Sequence, residues 1–477
     1  MKKISKLSLA PLVFLMLGSI IGSGFSDLPA NMAKRAGSVG ILLAWIVTGV
    51  GILALVLVYR NLSLRKPDLN NGIASYARAG FGDYIGFNSA WGYWVSAVCA
   101  NASYFVIIFN ALAYFFPRIF ERDHLTIEAL IGGTAIIWLI QYLVCKGVRL
   151  AALLNVVVQI AKFMPVLLFL IILIAVFSIN KFSYDFFGAD TNLSGLGTQV
   201  KSVMLVTVWV FIGIEGAIVL SERAKIRKDI GRATIIAMFC ALLIYMLISL
   251  LTFGYVSQQE AATLHTPSTA YILEQIVGPW GAAAVNCGLV ISVLGAMLGW
   301  TILASEVIYV GAKDKLMPQI FAKENRRNAP VSSLLLTNSL SQVLLVITFL
   351  SSAAYEVVFF IAATAILLPY LLSGMYGMKL AIIGETYRQN PKGRKMDIFI
   401  ATVCTIYAVW LVYAAGIENL LVVSILYAPG ILLYAKVQRE NGKKVFNNKF
   451  DIAVFAVITA TAVVATFMLI AGKITIG

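Results

Sequence analysis

The sequence predicts an all-α integral membrane protein, on three observations. Of its 477 residues 60% are hydrophobic and only 12% are charged, far from the composition of a soluble domain. Its apolar runs are too long for barrel strands and long enough for helices, which need about 20 residues to cross the hydrocarbon core. Two of those runs are interrupted by small residues, GSIIGSG at 18–24 and FIGIEG at 211–216, the second with a carboxylate. Lipid offers no partner to backbone groups, so the spans must be helical and any break must face something polar.

Taken in order, uncharged apolar stretches place thirteen spans near 7–34, 38–59, 83–116, 125–145, 148–178, 198–220, 231–252, 279–310, 330–350, 354–378, 397–415, 417–435 and 452–471. The least marked boundary is the one at 415/417. The first span opens with MKKISK, like the basic start of a signal peptide, but runs on through LPANM without an Ala-x-Ala cleavage site. It reads as a retained helix.

The formal net charge of +15 is a matter of topology rather than of nucleic acid. With the N-terminus inside, 29 of the 37 basic residues fall in inner segments and seven in outer ones, which leaves Lys162 within a span. That bias is the positive-inside rule. An odd number of spans then puts the tail after 471 outside, and the membrane expected is the cell's inner, cytoplasmic one.

Enzyme chemistry finds little footing. The five cysteines, Cys99, Cys145, Cys240, Cys287 and Cys404, lie in or at the ends of spans with no CxxC spacing, so neither a disulfide framework nor a zinc site is expected. Both histidines, His124 and His265, fall in predicted outer loops. There is no Ser-His-Asp set, phosphate-cradling glycine loop or intramembrane ligand cluster. No metal and no cofactor are expected; the partners expected are small-molecule substrates, the lipid bilayer and a second copy of the chain, not nucleic acid.

Transport is what remains. A lone Gly-x-x-x-Gly could serve close helix packing, but GSIIGSG puts small residues all round the helix, and its counterpart lies in span six. Spans one and six are corresponding members of two five-helix halves, and paired interruptions of this kind point to a midplane binding site between inverted repeats. The division predicted is 1–195 for spans one to five, 196–385 for spans six to ten, and 386–477 for about three further helices. An unwound stretch suits an amino acid. Freed N–H groups at one half-helix can hold a carboxylate and freed carbonyls at the other an ammonium group, with little need for buried charged side chains.

At these residues the chain resembles the amino acid/polyamine/organocation transporters, and among them the basic amino acid/polyamine antiporters, nearest to the arginine/ornithine type. The likeness runs through GSIIGSG and LPANMA, RKPDLNNGIASYARAGFGDYIGFNSAWGYW, VTVWVFIGIEGA, VGPWGA, GWTILASEVIYVGAKDKLMP, LLPYLLSG and LYAPG. It implies two inverted five-helix repeats with helices one and six broken, and exchange of amino acids by alternating access.

By the same resemblance, Ser19, Ile20, Gly22, Ser23 and Gly24 would surround the substrate's carboxylate and amine, with Trp209, Ile212 and Gly213 lining the opposite half-helix. Asn101 and Trp300 would meet the side chain, the first by a hydrogen bond and the second by stacking a cation on its indole face, worth about 2 kcal/mol when desolvated. A membrane tryptophan is more often an interfacial anchor, but 209 and 300 lie well inside their spans. Tyr93, Glu215 and Tyr370 would close the path to the cytoplasm. Glu215 is either a local structural partner or a proton-sensing gate, since an acid at mid-helix is costly to insert. Lys162, in QIAKFMP, either replaces the cation that sodium-coupled relatives hold near span one, bonding carbonyls of Gly18 to Ile21, or pairs with a buried acid. Asp27 departs from the family's Ile-Phe-Ser-Leu-Pro pattern and either greets cationic substrates in an outer vestibule or caps and pairs locally. Coupling is open in the sequence: exchange of basic amino acids stands against proton-coupled uptake, or exchange of another amino acid for its decarboxylation product.

Overall fold

The computed structural model describes residues 8–69, 72–122, 124–146, 148–184, 186, 195–215, 227–351, 354–388, 391–446 and 448–474. Every regular element among them is a helix. Nine of these helices are long and apolar enough to cross a bilayer, or ten if one bent pair counts as a single span.

That bent pair is the first span. The helix Leu9–Ile20 stops, and the chain resumes as a 3-10 turn, Gly24–Asp27, that runs into the helix Leu28–Ala33, at 52° to the first half. The second interruption begins as the helix Leu196–Phe211 ends: Ile212 is extended (φ −60°, ψ 128°) and Gly213 takes φ +110°, which an L side chain resists. The expected continuation of this span to 220 lies outside the described residues.

Two further spans depart from uniform helix for identifiable reasons. The expected 354–378 is a pair, Ala354–Ala365 and Leu367–Ile383, separated at Ile366. Pro369 has no N–H for the carbonyl four residues back, Ala365, so the ladder is broken there. The stretches expected at 397–415 and 417–435 meet without a loop inside Arg394–Tyr427, where Gly416 kinks the helix at φ 78°, ψ 157°. Short helices also occupy predicted loops, at Ile73–Phe81, Ile179–Tyr184, Gln258–Ala262 and Ser268–Val277.

The chain forms two compact units, each made of three segments. The first comprises Met1–Val56, Tyr104–Ile131 and Leu153–Met297. Its core holds Trp45, stacked on Tyr245 with ring centroids 6.1 Å apart and donating from its indole N–H to Ser249 at 3.3 Å, while Thr48 donates to Thr207 at 2.7 Å. The second comprises Leu57–Ser103, Gly132–Ala152 and Leu298–Gly477. There Trp94 donates to Thr337 at 3.0 Å, and Arg78 and Lys443 both pair with Asp83, at 2.7 and 3.0 Å. At its polar margin Lys66 pairs with Glu385 at 2.6 Å, and that bond raises the lysine's pKa. Glu324 is held below the usual carboxylate range by the hydroxyl of Tyr309 and then by Lys313.

Candidate functional site

The first unit brings both interruptions together. Gly22, Ser23 and Gly24 cannot extend the helix Leu9–Ile20 cheaply, because glycine gives up most backbone freedom and serine competes for backbone bonds. No backbone carbonyl among the described residues accepts the amides of Gly22 or Ser23. Ser19 is half-buried and donates to the Met16 carbonyl at 2.7 Å and to the Gly213 carbonyl at 3.4 Å, joining the first break to the second.

The carbonyls left at the end of the first half-helix are met by side chains. Tyr245 donates to the Ile20 carbonyl at 3.0 Å, and the ammonium of Lys162, a side chain only 6% exposed, donates to the Gly18 carbonyl. Of the two readings of Lys162, the geometry gives it a backbone carbonyl.

Across the break lies the end of Leu196–Phe211. A Cβ on Gly24 would stand 2.8 Å from Val210 Cγ1 and 3.1 Å from Trp209 Nε1, so glycine is what lets the two segments close up. Trp209 is buried and meets Tyr104 edge-on with centroids 6.3 Å apart; the Tyr104 hydroxyl would lie 3.6 Å from a Cβ on Gly22. Ile212 and Gly213 complete this wall. Glu215 is buried, and both carboxylate oxygens accept the Gly213 N–H, at 3.1 and 3.2 Å, so it holds the turn that gives Gly213 its positive φ. Asp27 is buried as well and accepts the N–H of Ser268 at 3.2 Å.

The remaining residues expected in the site belong to the second unit. Asn101 is 2% exposed; its amide donates to Thr301 at 3.1 Å, while its oxygen accepts from no group among the described residues. Trp300, half-buried, precedes Thr301 on the helix Pro279–Lys313. Tyr93 and Tyr370 are both buried.

Four contributors escaped sequence reasoning: Tyr104, Tyr245, Ser268 and Thr301. The first two are hydroxyl-bearing residues inside apolar spans, a signal that was available, because a buried tyrosine hydroxyl ordinarily has a partner to serve. Thr301 was hidden behind its neighbour Trp300, and Ser268 lay in what read as a loop.

Chemically, the first unit offers amides and carbonyls at one break, an indole and a phenol beside it, and an ammonium group and a carboxylate each committed to backbone. Such a site can take a small zwitterion without a covalent step.

Comparison with known proteins gives this site a context. The family model described as amino acid permease matches residues 7–458. The chain is 42% identical over 478 residues to the arginine/ornithine antiporter of Pseudomonas aeruginosa, covering 99% of this chain and 98% of that one. It is 38% identical over 463 residues to the arginine/agmatine antiporter of Chlamydia trachomatis serovar D, covering 96% of each.

Proposed function

The chain belongs to the amino acid permease family, and we infer that within it this multi-pass membrane protein is an antiporter exchanging basic amino acids, of the arginine, ornithine and lysine type, by alternating access. The observation that carries the reading is the break at Gly22–Ser23, where amides find no backbone acceptor among the described residues, beside a second helix end at Ile212–Gly213. The full-length likeness to antiporters named for arginine supports the substrate class. Ser19, Ile20, Gly22, Ser23 and Gly24 hold the amino acid head with Trp209, Ile212 and Gly213. Asn101 and Trp300 recognise the side chain, and Tyr93, Glu215 and Tyr370 act in gating. Lys162 stands where a coupling cation would otherwise sit. The wider frame is two inverted five-helix repeats, 1–195 and 196–385, with 386–477 appended, thirteen spans in all, in the cytoplasmic membrane with the N-terminus inside, the C-terminus outside and a homodimer as the assembly.

An exchanger changes face only when loaded. Labelled arginine should therefore enter proteoliposomes containing arginine, ornithine, lysine or agmatine and should not enter empty ones. Comparable uptake into empty vesicles under a pH gradient would refute exchange.

Two substitutions test the pocket. Gly24→Val forces its side chain against Val210 and Trp209 and should weaken arginine binding by about 10-fold or more, as overpacking of 1–3 kcal/mol implies. Trp300→Leu keeps apolar bulk but loses the indole quadrupole, so isothermal titration should show arginine or ornithine binding weakened roughly 5- to 30-fold. Neutral amino acids that bind should be little affected, and Trp300→Phe should fall between. Equal arginine affinity in wild type and Trp300→Leu would remove Trp300 from the site.

A further inference from the structure

The second half of the broken helix is tied at both ends to one hairpin. At its start, Asp27 Oδ1 accepts the Ser268 N–H at 3.2 Å, and the Ser268 hydroxyl donates to the Ser26 carbonyl at 3.0 Å while accepting the Ala30 N–H at 3.4 Å. At its far end, the Gln258 side-chain amide donates to the Ala33 carbonyl. The hairpin is itself stitched: Gln275 donates to Glu260 at 3.1 Å, Tyr255 donates from its hydroxyl to the Gln275 carbonyl at 3.2 Å, and Ser257 caps Gln258–Ala262 by accepting the Glu260 N–H. Ser268 opens the helix Ser268–Val277, and neither that residue nor the preceding Pro267 supplies a side-chain cap. Asp27 serves as that cap from another segment, with the negative charge that a helix start favours.

We propose that Asp27 is a positioning residue that fastens Gly24–Ala33 to the hairpin 258–277, so that the two move as one body when the transporter changes face. The proposal rests on the alternating-access reading for its consequence, and on the geometry alone for the clamp. A carboxylate 4% exposed and turned to Ser268 is not placed to greet a substrate. The half-helix is only ten residues long, and beyond its packing against Val210 and Trp209 these bonds are what couple it to the hairpin.

The test compares wild type with Asp27→Leu, Asp27→Asn and Ser268→Ala as purified protein. Hydrogen–deuterium exchange at 268–271 should quicken about 10-fold in Asp27→Leu, the size expected for losing a charged cap, and less in Asp27→Asn, which keeps an acceptor oxygen. In proteoliposomes Asp27→Leu should lower the turnover of arginine exchange by a similar factor with arginine affinity held within about twofold, a split that mere loss of folded protein would not produce. Unchanged hydrogen exchange would overturn the clamp. Weakened affinity for arginine alone would overturn it too, by moving Asp27 to the substrate. If Asp27→Leu does not fold, Ser268→Ala decides: it removes the bonds to Ser26 and Ala30, and no loosening of 258–271 would refute the clamp. Wild-type protein that fails to exchange would sink the transport reading, while the hydrogen-exchange arm still judges Asp27.

Discussion

Replacing Lys162 with methionine is expected to cut arginine exchange by about 100-fold while leaving arginine affinity within a few-fold of wild type. The two side chains have similar length, so packing is largely kept and what disappears is the ammonium group. The Gly18 carbonyl, at the end of the first half-helix, then loses the donor that Lys162 supplies. A buried acceptor stripped of its partner costs about 1–3 kcal/mol, more when the bond was charge-assisted, and the upper end of that range is a 100-fold change. The loss should fall on turnover because the amine bonds the scaffold of the break rather than the substrate. If it stands in for a cation, sodium chloride should restore part of the exchange in Lys162→Met and do nothing to wild type. Wild-type rates in the variant, measured in loaded proteoliposomes, would end the proposal.

Gly92→Ala is expected to lower the melting temperature of the purified protein by about 3 °C, from a loss of around 3 kcal/mol through overpacking and a broken buried hydrogen bond combined, spread over the unfolding entropy of so long a chain. A Cβ at 92 would sit 1.6 Å from the Tyr427 hydroxyl and 2.4 Å from the ring carbon that bears it. That hydroxyl is committed: it donates at 2.9 Å to the Ala365 carbonyl, the one that Pro369 leaves without a ladder partner. A missing side chain on one helix thus makes room for the tyrosine that repairs a proline break in another. Combining Gly92→Ala with Tyr427→Phe should cost less than the two single changes added together, because both disturb one contact. An unchanged melting curve for Gly92→Ala would show that the site relaxes freely.

What could be read in the sequence was what composition and helix-breaking residues announce. The break at Gly22–Ser23, the kink at Gly416 and the extents of Val331–Leu350 and Lys449–Ile470 follow from glycine and from hydropathy. The short helices did not show, because a scan for uncharged apolar stretches cannot see an amphipathic segment of five to ten residues. The sequence still carried a marker for one: Ser257 and Glu260 form the start of a capping box, and Ser257 does accept the Glu260 N–H. Of the candidate site, the helix break within residues 18–24 was legible, and the distant side chains that meet it were less so. For Asp27 and Glu215 the sequence left a local structural role open beside a vestibule or gating one; in the structure their carboxylates accept backbone amides, and which amides those are only the folded neighbour reveals.

The interleaving of the two compact units bears on how the protein is made. Each unit gathers three separated stretches of chain, but they close at different moments of synthesis. The first has all its pieces once residue 297 has left the ribosome, so the paired breaks at Gly22 and Gly213 can assemble during translation. The second holds residues 57–103 and 132–152 in waiting until residues from 298 onward arrive, among them Thr337 for Trp94 and Thr301 for Asn101. The indole N–H of Trp94 and the amide of Asn101, made early, therefore have no partner of their own unit until those later segments are made.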